Sequence, residues 1–169
     1  MKKQGLIVAL CLLVSACGFE PMYGTAFETE GGAQSTIQSE LGQVEIGNIP
    51  DREGQFLRNA LIDRFYKNGR PADARYSLEI APIQQSTYDL DITIRSDATR
   101  RQLVLSSALA LKDKATGETL LTRSIKSSGS YNVLISEFAT RVSEQNTREN
   151  GLNDLARQIE LQIGLYLKR

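Results

Sequence analysis

Few residues of this 169-residue chain have types and spacings that could do chemistry. Two cysteines, Cys11 and Cys17, stand near the start, and seven cations stand between Arg95 and Lys126. There is no histidine, which removes Ser-His-Asp and Cys-His catalysis together with every histidine-ligated metal. Two cysteines alone cannot build a zinc or iron–sulfur site. Ser and Thr are plentiful, but no Gly-x-Ser-x-Gly elbow and no glycine-rich phosphate loop accompanies them. Asp89 and Asp91, two apart, would share one face of a strand, and they read as edge carboxylates rather than a catalytic pair. The expectation is a protein that is not an enzyme and needs no cofactor or metal. Its 20 basic residues balance 20 acidic ones, which argues against a nucleic-acid partner.

Cys11 lies within, and Cys17 just after, a segment that reads as an export signal. Lys2 and Lys3 precede an uncharged run from Gly5 to Val14, shorter than the roughly 20 apolar residues that span a bilayer. Val14-Ser15-Ala16-Cys17 then resembles the bacterial lipobox. That resemblance implies cleavage before Cys17, acylation of its thiol and a further acyl chain on the new N-terminus. Cys11 would leave with the signal, so the mature chain would hold no free thiol and fold on its apolar core alone. A chain of roughly 150 residues buries about 68–70% of its unfolded surface, which suffices. Two or more acyl chains anchor stably. Gly18 stands where enterobacterial lipoproteins kept in the inner membrane carry Asp, so the expected address is the outer membrane, periplasmic side.

Charge divides the mature chain. No Lys or Arg occurs from Gln4 through Asp51, and Thr25 to Glu40 is rich in Gly, Ser, Thr, Gln and Glu, as in a flexible tether. The positive excess lies further on, where Arg95, Arg100, Arg101, Lys112, Lys114, Arg123 and Lys126 outnumber Asp97, Asp113 and Glu118. Such cations suit an anionic lipid, each contributing about 1 kcal/mol near a charged lipid surface. They equally suit a solvated sheet rim. Arg95, Arg100 and Arg101 are the first choices for lipid contact, because the polar run from Arg95 to Arg101 reads as a loop.

The elements that must position these groups follow from periodicity. Val44 and Ile46 suggest a short strand, with Pro50 ending it and Asp51 as the cap of a helix over 52–67 carrying Phe56, Leu57, Ala60, Leu61 and Phe65. Tyr76, Leu78 and Ile80 alternate as a strand, with Pro82 marking an edge or bulge. Leu90, Ile92 and Ile94 suggest another strand or an extended arm. Leu103, Leu105, Leu109 and Leu111 alternate with a small-residue face of Ser106, Ala108 and Ala110, and Asp113 to Gly117 turns into a return strand from Thr119 to about Ser130. Leu152, Leu155, Ala156, Ile159, Ile163 and Tyr166 form one helical stripe starting near Phe138 or Val142, with Gly151 as a weak point. The predicted fold is α+β, a two-layer sandwich with two helices on one face of a roughly four-stranded, mostly antiparallel mixed sheet.

Cys17-Gly18-Phe19-Glu20-Pro21-Met22-Tyr23-Gly24, Ala110 to Gly117, Ser130-Tyr131-Asn132-Val133 with Phe138-Ala139, and Asp154 to Ile159 together resemble the LPS-assembly lipoprotein family (LptE), in its alphaproteobacterial form. The resemblance covers nearly the whole mature chain. It implies a two-helix, four-stranded domain that plugs a large outer-membrane β-barrel, assists that barrel's assembly and binds lipopolysaccharide (LPS) on its way to the outer leaflet. The expected partners are thus the barrel, LPS and the membrane through Cys17. The expected organisation is a signal at 1–16, an acylated tether at 17–41 and one domain at 42–169. The alternative is another lipid-anchored accessory, serving intermembrane lipid transport or general barrel assembly.

Mass spectrometry of the native protein should find the mature chain beginning at an acylated Cys17. An unmodified Cys17 would remove the basis for membrane anchoring.

Overall fold

β4 (Ala98–Asp113) is the strand on which the sheet is assembled. It alternates cleanly, with Leu103, Leu105, Ser107, Leu109 and Leu111 buried and the residues between them facing outward. The computed structural model describes residues 37–67, 69–92 and 98–168; the signal, Cys17, the tether before 37, Ile94, Arg95 and Asp97 lie outside the described residues. Residues 37–41 are helical. They lead into β1 (Val44–Ile46) and α1 (Asp51–Phe65). Strands β2 (Tyr76–Ile80), β3 (Gln84–Ile92), β4 and β5 (Thr119–Asn132) follow, and α2 (Glu137–Leu167) closes the order.

The sheet has five strands, β1 parallel to β2 and all other pairings antiparallel. β2 and β3 are in effect one broken strand. Both run along the same edge of β4, β2 against Leu109–Asp113 and β3 against Ala98–Ser106. The break falls at Ala81-Pro82-Ile83, where Pro82 has no N–H to donate. The ladder is carried across by the Ala81 N–H donating to Ala108 O (2.9 Å) and by Ser107 Oγ donating to Ala81 O (2.7 Å). The predicted four-stranded, mostly antiparallel pattern therefore holds in outline, with a fifth strand arising from this interruption.

Three local expectations change. β3 begins at Gln84, six residues before the alternation at Leu90. The one-residue slip at Pro82 turns its even-numbered side chains outward, and Leu90 is exposed. Arg100 and Arg101 are not in a loop: β4 starts at Ala98, paired on one side with β3 and on the other with β5. Asp51 does not cap α1 from outside; Pro50 is the N-cap, and Asp51 begins the helix at φ 68°.

Both helices cover one face of the sheet. Leu57, Leu61 and Phe65 of α1 join Leu152, Leu155, Ala156, Ile159 and Ile163 of α2 in one buried cluster with Leu78, Leu103, Leu105, Leu109, Leu111 and Ile125. Each of these leucine, isoleucine and phenylalanine side chains contributes about 1.5–3 kcal/mol on burial. Arg64 of α1 pairs with Glu160 of α2 at 2.9 Å. Gly151 is no weak point but a close approach, since a Cβ there would sit 2.9 Å from Leu105 Cδ1.

Gly54 is tighter still: a Cβ would lie 2.9 Å from the backbone C and O of Ile49, which cannot rotate away. Glycine to alanine in an open helix gains about 1 kcal/mol. Here Gly54→Ala should instead cost about 1–3 kcal/mol in chemical denaturation, as overpacking does. A gain in stability would show that α1 does not seat on Ile49 as described.

Candidate functional site

The alternation of β4 separates the cations that the sequence groups together. Arg100 and Arg101 point to opposite faces. Arg100 lies on the face away from the helices, where its Nε and Nη2 donate to Ser130 Oγ at 3.3 and 2.8 Å. Arg101 lies on the helix side and pairs with Asp89 at 2.8 Å. The hydrogen bond and charge of Asp89 raise the Arg101 pKa, while burial pushes up the neighbouring Tyr131 hydroxyl, with Glu144 adding to that. A carboxylate in place of Arg101 would face Asp89 directly, so charge reversal there reads out folding as well as binding.

Lys112 pairs with Glu79 at 2.6 Å, and Lys114 with Glu45 at 2.7 Å. The hydrogen bond from Lys114 holds the Glu45 carboxyl below its ordinary range and raises the lysine in turn. Arg123 donates to Thr122 O at 3.1 Å, and neither it nor Lys126 makes an ion pair among the described residues. Of the seven sequence candidates, three are neutralised by carboxylates, Arg100 and Lys126 stand on the open face, Arg123 is exposed on the helix side in register with Leu109, and Arg95 is outside the described residues. They do not form one patch. The small outer face of Ser106, Ala108 and Ala110 is uncovered by either helix, and Ala108 is exposed. In the β3–β4 pairing a register shift falls between Asp89 and Asp91.

What the structure does gather is apolar. Leu134, Ile135, Phe138 and Val142 are exposed in the turn after β5 and the first turns of α2, and Tyr88 and Leu90 are exposed on β3. Val133 N–H donates to Thr99 O at 2.9 Å and carries the ladder to the end of β5. The turn beyond is held in place. Leu134 N–H donates to Thr140 Oγ1 at 2.9 Å, and Ser136 Oγ caps α2 by accepting from Ala139 N–H. This bracing leaves Ile135 fully in solvent and Phe138 78% exposed. Apolar exposure grouped along one short stretch of chain, Leu134 to Val142, suits a binding surface for lipid or protein. In the sequence Phe138 reads as a start for α2 and as part of a family motif, not as a binding residue. The missed clue is Val133-Leu134-Ile135 followed by Phe138, apolar residues that complete neither the β5 alternation nor the α2 stripe.

A second apolar feature lies toward the other end of α2. A groove of about 730 Å³ is walled by Ile37, Leu41, Leu161 and Leu165, with Lys67 and Lys168 at its margin.

No family model and no curated protein matches the chain. Solved structures do. A Caulobacter crescentus protein solved as a candidate lipoprotein has a TM-score of 0.60 at 22% identity, over 79% of this chain and 97% of that one. Rare lipoprotein B of Shewanella oneidensis gives 0.54 at 13% identity, over 70% and 89%. A minor lipoprotein of Acinetobacter baumannii gives 0.54 at 19%, over 72% and 90%. At these identities the likeness is one of architecture, and the chain has the fold of these three proteins.

Proposed function

We propose that this chain is a lipid-anchored outer-membrane protein that binds LPS and works with a β-barrel partner to place it in the outer leaflet, assisting assembly of that barrel. Three supports converge on this reading. The N-terminal lipobox and the ordered motifs resemble the LPS-assembly lipoproteins. The solved proteins that share the fold are described as lipoproteins, with the Caulobacter protein a candidate one. The observation that carries the binding role is the apolar turn after β5, where Leu134, Ile135 and Phe138 are braced outward, with Arg100 opposite Asn132 at the end of that strand. An amphiphile with acyl chains and phosphates asks for that combination: exposed apolar area for the chains, and a guanidinium for a phosphate, which it binds through two parallel hydrogen bonds.

The role of charge is secondary and testable by salt. Charge-based phosphate contacts are screened over a Debye length of about 8 Å at physiological ionic strength. Equilibrium binding of LPS to the purified full-length chain should weaken moderately as salt rises and on Arg100→Glu. Changing Ile135 and Phe138 together to Glu should weaken it by at least about tenfold, since each buried apolar side chain supplies more than the 1.4 kcal/mol that a tenfold change requires. Leu161→Glu with Leu165→Glu, also exposed apolar positions but at the groove, serves as the control. Equal losses in both double variants would place the binding elsewhere.

A further inference from the structure

The edge of β5 that no described strand pairs is a second surface, and its backbone specifies what fits it. Val133 N–H bonds Thr99 O, so Thr99 and Val133 are a hydrogen-bonded pair of the antiparallel ladder. Such pairs alternate along a ladder. Arg101/Tyr131, Leu103/Gly129, Leu105/Ser127 and Ser107/Ile125 therefore bond inward to β4. The residues between them, Ser124, Lys126, Ser128 and Ser130, aim their N–H and C=O groups away from the sheet. Gln158 confirms the direction, because its Nε2 reaches around from α2 to donate to Lys126 O at 3.0 Å. Among the described residues the outward backbone groups of Ser124, Ser128 and Ser130 have no partner.

This edge differs from the others. β1 is three residues long, and β3 is broken by register shifts at its far end. β5 pairs with β4 without a shift from Leu121 to Asn132. Alongside it runs a groove of about 270 Å³, with Ser127–Ser130 on one wall and Thr147, Asn150, Gly151 and Asp154 of α2 on the other. An edge strand beside a helix is the setting in which extended peptides add to a sheet, main-chain bonds giving affinity and the flanking groove giving selectivity.

We infer that β5 takes an extended segment of a different protein chain as an added strand in this groove. Charge says which kind of segment. Arg123 and Lys126 make no ion pair among the described residues, so the incoming strand carries carboxylates or neutral residues opposite them and no Lys or Arg. A second copy fits poorly, because two β5 edges paired about Lys126 would set the two ammonium groups directly opposite. The inference does not depend on LPS binding.

Residue-resolved amide hydrogen exchange tests it, with the full-length chain in membrane vesicles from its producing cells compared with the purified chain in detergent micelles. In micelles the amides of Ser124, Lys126, Ser128 and Ser130 should exchange fast while those of Ser127, Gly129 and Tyr131 are protected. In vesicles the first four should slow by about 100-fold or more, as when an open edge is paired. Ser128→Pro removes one outward donor and no ladder bond, so it should abolish that slowing and leave Ser127 and Tyr131 protected. Should Ser128→Pro lose the inward protection too, Ser130→Pro repeats the test. Edge amides that stay fast in vesicles would overturn the inference. Edge protection already present in micelles, with a dimeric mass, would overturn it in favour of a second copy.

Discussion

The alternation of β4 is the constraint from which the rest follows. Four leucines on one face, Leu103, Leu105, Leu109 and Leu111, are essentially removed from water. At about 1.5–3 kcal/mol each, their burial is comparable to the net stability of a typical domain, about 5–15 kcal/mol. A one-residue slip would turn all four to solvent, so the register is strongly held. β5 along one edge and the broken β2–β3 strand along the other inherit that register, and α2 can lie on the leucine face because Gly151 lets its backbone approach Leu105.

The same alternation decides where function can reside. It sends Arg101 to the helix side, where Asp89 neutralises it, and leaves Arg100 on the open face with only a serine hydroxyl. It buries one side of β4, β2 and much of β5 and leaves the other side of β4, with Ser106, Ala108 and Ala110, uncovered. What the sheet does not use collects at its end, where the turn before α2 is braced by Thr140 and Ser136 and carries Leu134, Ile135 and Phe138 outward. Holding such residues in water brings no folding benefit, so a binding role accounts for them better than packing does.

Much of this was legible in the sequence, for a physical reason. Where one face is buried and the other wet, composition alternates, and the strands at Tyr76–Ile80 and Leu103–Leu111, the hairpin at Asp113–Gly117 and the stripe of α2 all read correctly. β3 did not, because Gln84 to Thr87 are polar on both faces and are held by backbone pairing that leaves no apolar trace. The start of β4 was hidden likewise, since Arg100 and Arg101 are polar whether in a loop or a strand. The cations were visible as a group in sequence, but their carboxylate partners come from β1, β2 and β3, and no linear reading joins Lys114 to Glu45 or Lys112 to Glu79. The apolar end was present in the sequence and unclaimed by either neighbouring element.

Photo-crosslinking in living cells tests the central claim most directly. A photoreactive side chain at Phe138 should yield a chain–LPS adduct, and the same group at Leu161, also exposed but beside the groove at the far end of α2, should not. Adducts of equal yield from both positions, or from Leu161 alone, would contradict the assignment of LPS binding to the apolar end of the sheet.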